Sequence, residues 1–179
     1  DERAAQIANL QYGDATDMDF DDESFDFVFS FHALEHIPDY PAALAELARC
    51  LKPGGRLLLT TPIHFNKEST VVRASFGPDG KLTHHLPPVY HGDPVNSGGA
   101  LCFNDFGWDL LDAVKCSGFA DAALHFFASA EYGYLGLHCI LLATRNPVLA
   151  NRSTRRTRTQ PAAAKRPAHV RSQKPVEST

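Results

Sequence analysis

The sequence predicts an α/β fold with a mostly parallel sheet. Three consecutive segments indicate it: an aromatic strand with a period of two, an amphipathic helix, and a continuous apolar strand. Strand, helix and strand within about forty residues form a βαβ unit, whose crossover is expected to be right-handed. The chain of 179 residues, with 44% hydrophobic content, is long and apolar enough for one domain with a core.

The first strand of this unit is defined by alternating aromatic residues. Phe25, Phe27, Phe29 and Phe31 are separated by single residues, so their side chains lie on the same face of a strand. We expect this strand to be buried on at least one face. Polar residues begin where it ends, at Ser30 and beyond.

The helix and the second strand follow directly. Asp39 is a suitable cap and Pro41 suits a first helical turn. The apolar positions then have helical spacing: Leu44, Leu47, Ala48 and Leu51. The helix must end before Pro53, and the Gly-Gly pair after it makes a turn. The run "RLLLTTP" at 56–62 predicts a strand of the kind that is buried on both faces.

The rest of the domain has a weaker pattern. Residues 64–101 are rich in Pro, Gly, His and Asn, and the segment is long for a connection, which favours a lid or substrate loop. Asn104 or Asp105 is expected to cap a second helix that ends at Gly118. "DAALHFFAS" and "LHCILLATR" predict two closing strands, paired antiparallel.

Charge divides the chain into residues 1–146, the predicted domain, and residues 147–179, a basic tail that we expect to be disordered. There are nine Lys and Arg against 20 Asp and Glu up to Ala150, and eight against one from Asn151 onward. A basic tail suits a nucleic-acid or acidic partner. No aromatic residue interleaves these cations for base stacking, which favours a solvated extension instead.

Cysteine usage and hydropathy indicate the compartment. The four cysteines are Cys50, Cys102, Cys116 and Cys139; they stand singly, without a CxxC pair, which predicts free thiols in a reducing, cytoplasmic environment. No apolar run reaches the roughly 18 residues of a membrane span. We therefore expect no membrane partner.

Two motifs carry a family resemblance. The stretches "GDATDMDFDDESFDFVFS" and "LEHIPDYPAALAELARCLKPGGRLLLTTP" resemble class I S-adenosylmethionine-dependent methyltransferases of the small-molecule type. The resemblance is close from Tyr12 to about Pro62. It implies a Rossmann-like sheet, mostly parallel with an antiparallel C-terminal strand, S-adenosyl-L-methionine as cofactor and a small-molecule substrate.

The resemblance also implies where the cofactor binds. Asp14 and the backbone N–H of Ala15 correspond to the pair that reads the amine and ring nitrogen of adenine. Met18 is placed to pack on the adenine face. Ser30 and Phe31, just beyond the carboxyl end of the first strand, correspond to residues beside the sulfonium.

Catalysis needs mainly positioning, because the methyl group of a sulfonium is already activated. A hydroxyl acceptor also needs a base, and histidine titrates in the required range. His32, His36 and His64 are the candidate bases, and we favour His32 or His64. Three further histidines of the long loop are secondary candidates: His84, His85 and His91.

The sequence "HALEH" from His32 to His36 has two further interpretations. HxxEH on a helix binds zinc in inverted-motif peptidases, but Pro38 leaves too short a helix here. Some ubiquinone-pathway O-methyltransferases resemble this stretch and hold a divalent ion there, which makes Glu35 and His36 candidate ligands. We favour hydrogen bonding within the loop and assign no metal ligand.

One expected part of the family pattern does not occur in this sequence. The Gly-rich turn after the first strand of such domains, and the acidic residue that holds the ribose, have no counterpart before Gly13. The sheet is therefore expected to be N-terminally incomplete. A truncated, catalytically silent product is the alternative to an active enzyme.

Overall fold

The computed structural model describes residues 13–93 and 97–147. The predicted disordered tail lies almost wholly outside these residues, as do Asp1 to Tyr12. Among the helices that the structure describes, none is both long and apolar enough to cross a membrane.

The main sheet has four strands in the order β1-β2-β10-β9. They span β1 Phe25–Phe31, β2 Leu51–Thr60, β9 Phe119–Ser129 and β10 Tyr134–Arg145. Strands β1 and β2 are parallel, while β10 runs antiparallel to both β2 and β9. The predicted parallel unit with an antiparallel C-terminal strand is confirmed.

Helix α1, Tyr40–Cys50, connects β1 to β2. Its predicted cap is confirmed, because the Asp39 carboxylate accepts a hydrogen bond of 3.1 Å from the Ala42 N–H. Strand β2 begins earlier than predicted, directly after the helix. The Pro-Gly-Gly sequence forms a bulge inside it, since Phe25 pairs with Leu51 but Phe27 pairs with Arg56.

The core lies on one face of the sheet only. Leu57 and Leu59 of β2 point into it, together with buried residues of both helices and β10: Leu44, Leu110, Val114 and Leu141. On the opposite face, Phe27, Phe29 and Phe31 are each about 60% exposed. The expectation that β2 is buried on both faces was wrong, because Leu57 and Leu59 are buried in the core whereas Leu58 and Thr60 on the other face are only partly buried.

The segment 64–101 has more regular structure than predicted. It contains a hairpin of β4 Ala74–Phe76 and β5 Leu82–His84, and a pair of β6 Tyr90–His91 with β7 Ala100–Leu101. Strand β3, Val71–Val72, pairs with β8, Asn104–Asp105. These pairs fix a long connection against the end of the sheet; its role as a lid stays a prediction.

The second helix begins later than predicted. Helix α2 spans Leu110–Cys116 and follows Asp109. The expectation that Asn104 or Asp105 caps it was wrong, because both residues belong to β8 and their side chains bind elsewhere. Asn104 donates to the Ile37 carbonyl at 3.0 Å, and Asp105 accepts from Arg73.

The two closing strands are confirmed as an antiparallel pair, with Leu141 opposite Leu124. The four cysteines are free thiols, as predicted: Cys50 and Cys102 are buried, Cys139 is partly buried and Cys116 is exposed.

Candidate functional site

The carboxyl ends of β1 and β2 lie side by side at one edge of the sheet. The His32 N–H donates to the Thr60 carbonyl at 2.8 Å, which holds the two ends together. His32 has a φ of 47°, in the left-handed region that residues other than glycine rarely occupy. The chain therefore leaves β1 through a sharp turn, at the edge where ligands bind in open α/β sheets.

A 3₁₀ helix, Leu34–His36, follows this turn and buries a carboxylate. Glu35 is 1% exposed, and its Oε2 accepts a hydrogen bond of 2.8 Å from the Thr61 hydroxyl. The other oxygen, Oε1, is buried and has no hydrogen-bond partner among the described residues. A buried carboxylate oxygen without a partner is costly, so this atom needs an explanation.

Three histidine rings surround the Oε1 atom of Glu35. The nearest nitrogens are His32 Nδ1 at 3.5 Å, His91 Nδ1 at 3.6 Å and His36 Nε2 at 3.8 Å. All three distances exceed the length of a good hydrogen bond. The Cys102 thiol lies close to two of these rings, those of His36 and His91. Burial, and after it the charge of Glu35, raises the pKa of this thiol.

A cavity of about 240 Å³ opens between the end of β2 and the segment 64–101. Its lining includes Glu35, His64, Arg73, His91, Cys102 and Asp105. Asp105 connects the charged groups here: its Oδ2 lies 2.8 Å from Arg73 and 3.2 Å from Lys67, and its Oδ1 lies 3.8 Å from His64 Nε2. The cavity lining thus combines two imidazoles, two carboxylates and one guanidinium, and Lys67 binds Asp105 from outside the lining.

Both burial and hydrogen bonding act on the pKa of Asp105. Burial alone raises it, but the hydrogen bonds from Lys67 and Arg73 outweigh burial and hold the pKa below its usual value. Asp105 is therefore ionised at neutral pH, beside a half-exposed His64.

The two predicted catalytic histidines border different cavities. His32 lines a second cavity of about 310 Å³, together with Thr60, Phe65 and Phe127. Pro62 contributes to both cavities. The structure therefore places His32 and His64 at the same edge of the sheet but does not bring their side chains into one site.

The predicted adenine-reading turn lies before β1. Asp14 Oδ1 accepts hydrogen bonds from the Thr16 hydroxyl at 2.7 Å and from the Thr16 N–H at 2.8 Å. These bonds, the side-chain one first, lower the pKa of Asp14. Asp14 is exposed and ionised, while Ala15 and Met18 are partly buried against the core. The turn thus exposes one carboxylate, that of Asp14, which Thr16 holds in place.

Arg49 of α1 fixes this turn. Its guanidinium donates to the carbonyls of Phe20 at 2.7 Å and Met18 at 3.0 Å, and to Asp22 and Glu46 at 2.8 Å each. Glu46 in turn accepts from the Met18 N–H at 2.9 Å. The hydrogen bond from Arg49 is the main cause that lowers the pKa of Glu46. The segment from Met18 to Asp22 is therefore tied to the first helix.

The replacement Arg49→Met is expected to lower the free energy of unfolding by about 1–2 kcal/mol, because it removes several charge-assisted hydrogen bonds from a partly buried side chain. The Glu46 part of this stability is present above its ordinary pKa of 4.5 and disappears as the pH falls through the lowered, folded-state pKa. Urea unfolding measures the change. Lys52→Met is the control: it breaks an exposed pair with Asp26 and should cost less than about 0.5 kcal/mol. Equal losses in the free energy of unfolding for the two variants would contradict the stabilising role assigned to Arg49.

Comparison with known proteins shows what the N-terminal third of the chain is similar to. Residues 1–59 match the family model described as a methyltransferase domain. A demethylmenaquinone methyltransferase of Staphylococcus epidermidis is 44% identical over 59 residues, which are 32% of this chain and 24% of that protein. The chloroplastic tocopherol O-methyltransferase of Arabidopsis thaliana is 42% identical over 62 residues, 35% of this chain and 18% of that protein. Residues 1–59 of the chain are thus similar to part of a methyltransferase domain.

The chain spans about a quarter of the length of the first curated relatives it matches. A crystal structure of an S-adenosylmethionine-dependent methyltransferase from Mesorhizobium loti has a TM-score of 0.49 and 18% identity, covering 80% of this chain and 74% of that one.

Three residues that line the cavity beside His64 were not predicted as site residues. Arg73, Cys102 and Asp105 come from the segment after β2, outside the matched residues. No sequence pattern indicated a role for Arg73, and Asp105 was predicted to cap a helix. In contrast, His84 is exposed on the β4–β5 hairpin, where His85 Nε2 lies 2.8 Å from the Ser75 hydroxyl, away from both cavities.

Proposed function

We propose that this methyltransferase domain transfers a methyl group from S-adenosyl-L-methionine to a small-molecule acceptor. The observation that carries the proposal is the family match over residues 1–59, which includes both the Gly-Asp turn and the adjacent ends of β1 and β2. The relatives that share this segment are named for demethylmenaquinone and tocopherol, which are small molecules. Active transfer is favoured over the alternative of a silent product.

The turn at Asp14 fits the adenine end of the cofactor. Asp14 is exposed and ionised, and one of its carboxylate oxygens, Oδ1, binds Thr16. The other oxygen can accept from the adenine amine, beside the N–H of Ala15. Met18 supplies an apolar surface near them. The lowered pKa keeps the acceptor charge at neutral pH.

Ser30 and Phe31 are proposed to line the methyl-donating end. Phe31 is 59% exposed and stacks on Phe29 with 6.2 Å between the ring centroids, so it is available to a ligand rather than buried in the core. When bound, the cofactor supplies a methyl group on a positively charged sulfur, which passes to the acceptor as the carbon–sulfur bond breaks.

His64 is the proposed base of the reaction. Its Nε2 lies 3.8 Å from the ionised Asp105, and both residues line the same cavity. The imidazole can take the proton of an acceptor hydroxyl, and the carboxylate of Asp105 stabilises the resulting charge. His32 is 66% exposed and lines the other cavity, so it is the second candidate.

We further infer a cytoplasmic location. Four free cysteines, two of them buried, support a reducing compartment.

The replacement Asp14→Ala is expected to weaken the binding of S-adenosylhomocysteine by more than tenfold, about 1.4 kcal/mol, because it removes the charged acceptor for the adenine amine. Titration calorimetry on the full-length protein measures the affinity. The matched control is Asp19→Ala, which removes another exposed carboxylate from the same turn and should leave the affinity unchanged. An unchanged affinity in Asp14→Ala would remove Asp14 from the site.

A further inference from the structure

The unsatisfied carboxylate of Glu35 lies beside a set of possible metal ligands. His36, His91 and Cys102 each offer one ligand atom, and these atoms lie within 4.8 Å of one another. They come from three places in the fold: the 3₁₀ helix, strand β6 and the residue after β7. Two of the three, His91 and Cys102, belong to the segment outside the family match.

The orientation of His36 suits a ligand. Its Nδ1 lies 2.8 Å from the Leu101 carbonyl, which can only accept, so Nδ1 carries the proton. The lone pair of a neutral His36 is then on Nε2, the atom that faces Glu35 Oε1. A hydrogen bond from the second ring nitrogen to a carbonyl is the usual support of a metal-binding histidine.

Glu35 is held in a similar way. The Thr61 hydroxyl donates to Oε2, which leaves Oε1 aimed at the nitrogens of His36 and His91 at 3.8 and 3.6 Å. Nothing in residues 13–93 or 97–147 hydrogen-bonds this Oε1 atom, although Glu35 is 1% exposed. A cation among these atoms would remove the cost of burying an unpaired carboxylate oxygen.

The types of ligand indicate which ion fits. His36, His91 and Cys102 supply two imidazole nitrogens and one thiolate, and Glu35 Oε1 lies within 3.8 Å of both imidazoles. Nitrogen and sulfur ligands of this kind are typical of zinc, whereas magnesium and calcium prefer oxygen ligands alone. We propose that His36, His91, Cys102 and Glu35 bind one divalent zinc-type ion in each chain. The Cys102 thiol loses its proton to solvent on binding.

The proposed ion has a structural consequence. It connects the end of β1 to the β6–β7 pair, so it would fix the segment 64–101 against the wall of the cavity that contains His64. Hydrogen bonds already join the 3₁₀ helix to the residues after β7, such as that from the Phe103 N–H to the Glu35 carbonyl at 2.8 Å. The ion would add a further connection between these two segments.

The test is zinc binding to the untagged, chelator-stripped chain, measured by competition with a chromophoric chelator. We expect one zinc ion per chain, with affinity lowered more than tenfold in His91→Ala and in Cys102→Ser. The controls are His85→Ala and Cys139→Ser, which replace the same residue types outside the site and should bind as the wild type does. Circular dichroism on each sample establishes that it is folded.

The absorption of bound cobalt(II) gives a second readout, and a loss of packing alone would not reproduce the expected change. The wild type and Cys139→Ser are expected to show thiolate-to-cobalt charge-transfer absorption, and Cys102→Ser is expected to lack it. The proposal is overturned if the folded wild type binds no zinc, or if Cys102→Ser retains both the zinc affinity and the cobalt absorption. If the stripped chain is unfolded, zinc must restore its helix signal; failure to do so also overturns the proposal.

Discussion

The replacement Phe106→Ala is expected to lower the free energy of unfolding by about 3–5 kcal/mol, because it leaves a large cavity in the core. Phe106 is fully buried and packs edge-to-face on Tyr40, with 5.1 Å between the ring centroids. A typical domain has only about 5–15 kcal/mol of stability, so the variant should be near the limit of folding. The midpoint of urea unfolding, at an unchanged slope, measures the loss.

Phe27→Ala is the matched control for this prediction. Phe27 is 59% exposed on the open face of the sheet, so its removal should cost less than about 1 kcal/mol. A loss as large as that of Phe106→Ala would mean that the open face is covered in solution, contrary to the fold described above.

The replacement Asp105→Ala is expected to cost about 2–3 kcal/mol, because it leaves the guanidinium of Arg73 without its carboxylate in a mostly buried position. Arg73 and Asp105 are 13% and 15% exposed and lie 2.8 Å apart. The pKa of Asp105 is lowered in the folded protein, so this contribution is present above the usual pKa of 3.8 and disappears as the pH falls through the folded-state value.

The control for Asp105 is Asp79→Ala. Asp79 pairs with Lys81 at a similar distance, 2.9 Å, but both side chains are more than half exposed. Its loss should leave the free energy of unfolding nearly unchanged, because solvent screens an exposed ion pair. If urea unfolding at pH 7 gives the same small loss for both variants, the Asp105 network contributes no stability.

Those elements of the fold that depend only on neighbouring residues could be predicted from the sequence. The alternation of Phe25 to Phe31 and the helical spacing from Leu44 to Leu51 each depend on neighbouring residues, and both elements are present. Which face of a strand is covered depends on distant residues. The exposure of Phe27 was missed for this reason.

The site was predictable only in part, for a similar reason. The position of Ser30 and His32 at the end of β1 follows from the strand itself. The partners of Glu35 could not be predicted in this way. Thr61 lies 26 residues later in the chain, and the short β6–β7 pair brings His91 close to Glu35. Asp105 has the residue type of a helix cap, but its carboxylate binds Arg73, 32 residues earlier.

Hydrogen–deuterium exchange with and without S-adenosylhomocysteine tests the central claim, that the Asp14 turn and the end of β1 bind the cofactor. In the full-length protein, the ligand is expected to slow exchange at residues 14–18 and 30–32 and to leave the exposed hairpin at 76–82 unchanged. A folded protein in which the ligand slows exchange at neither segment would contradict the account.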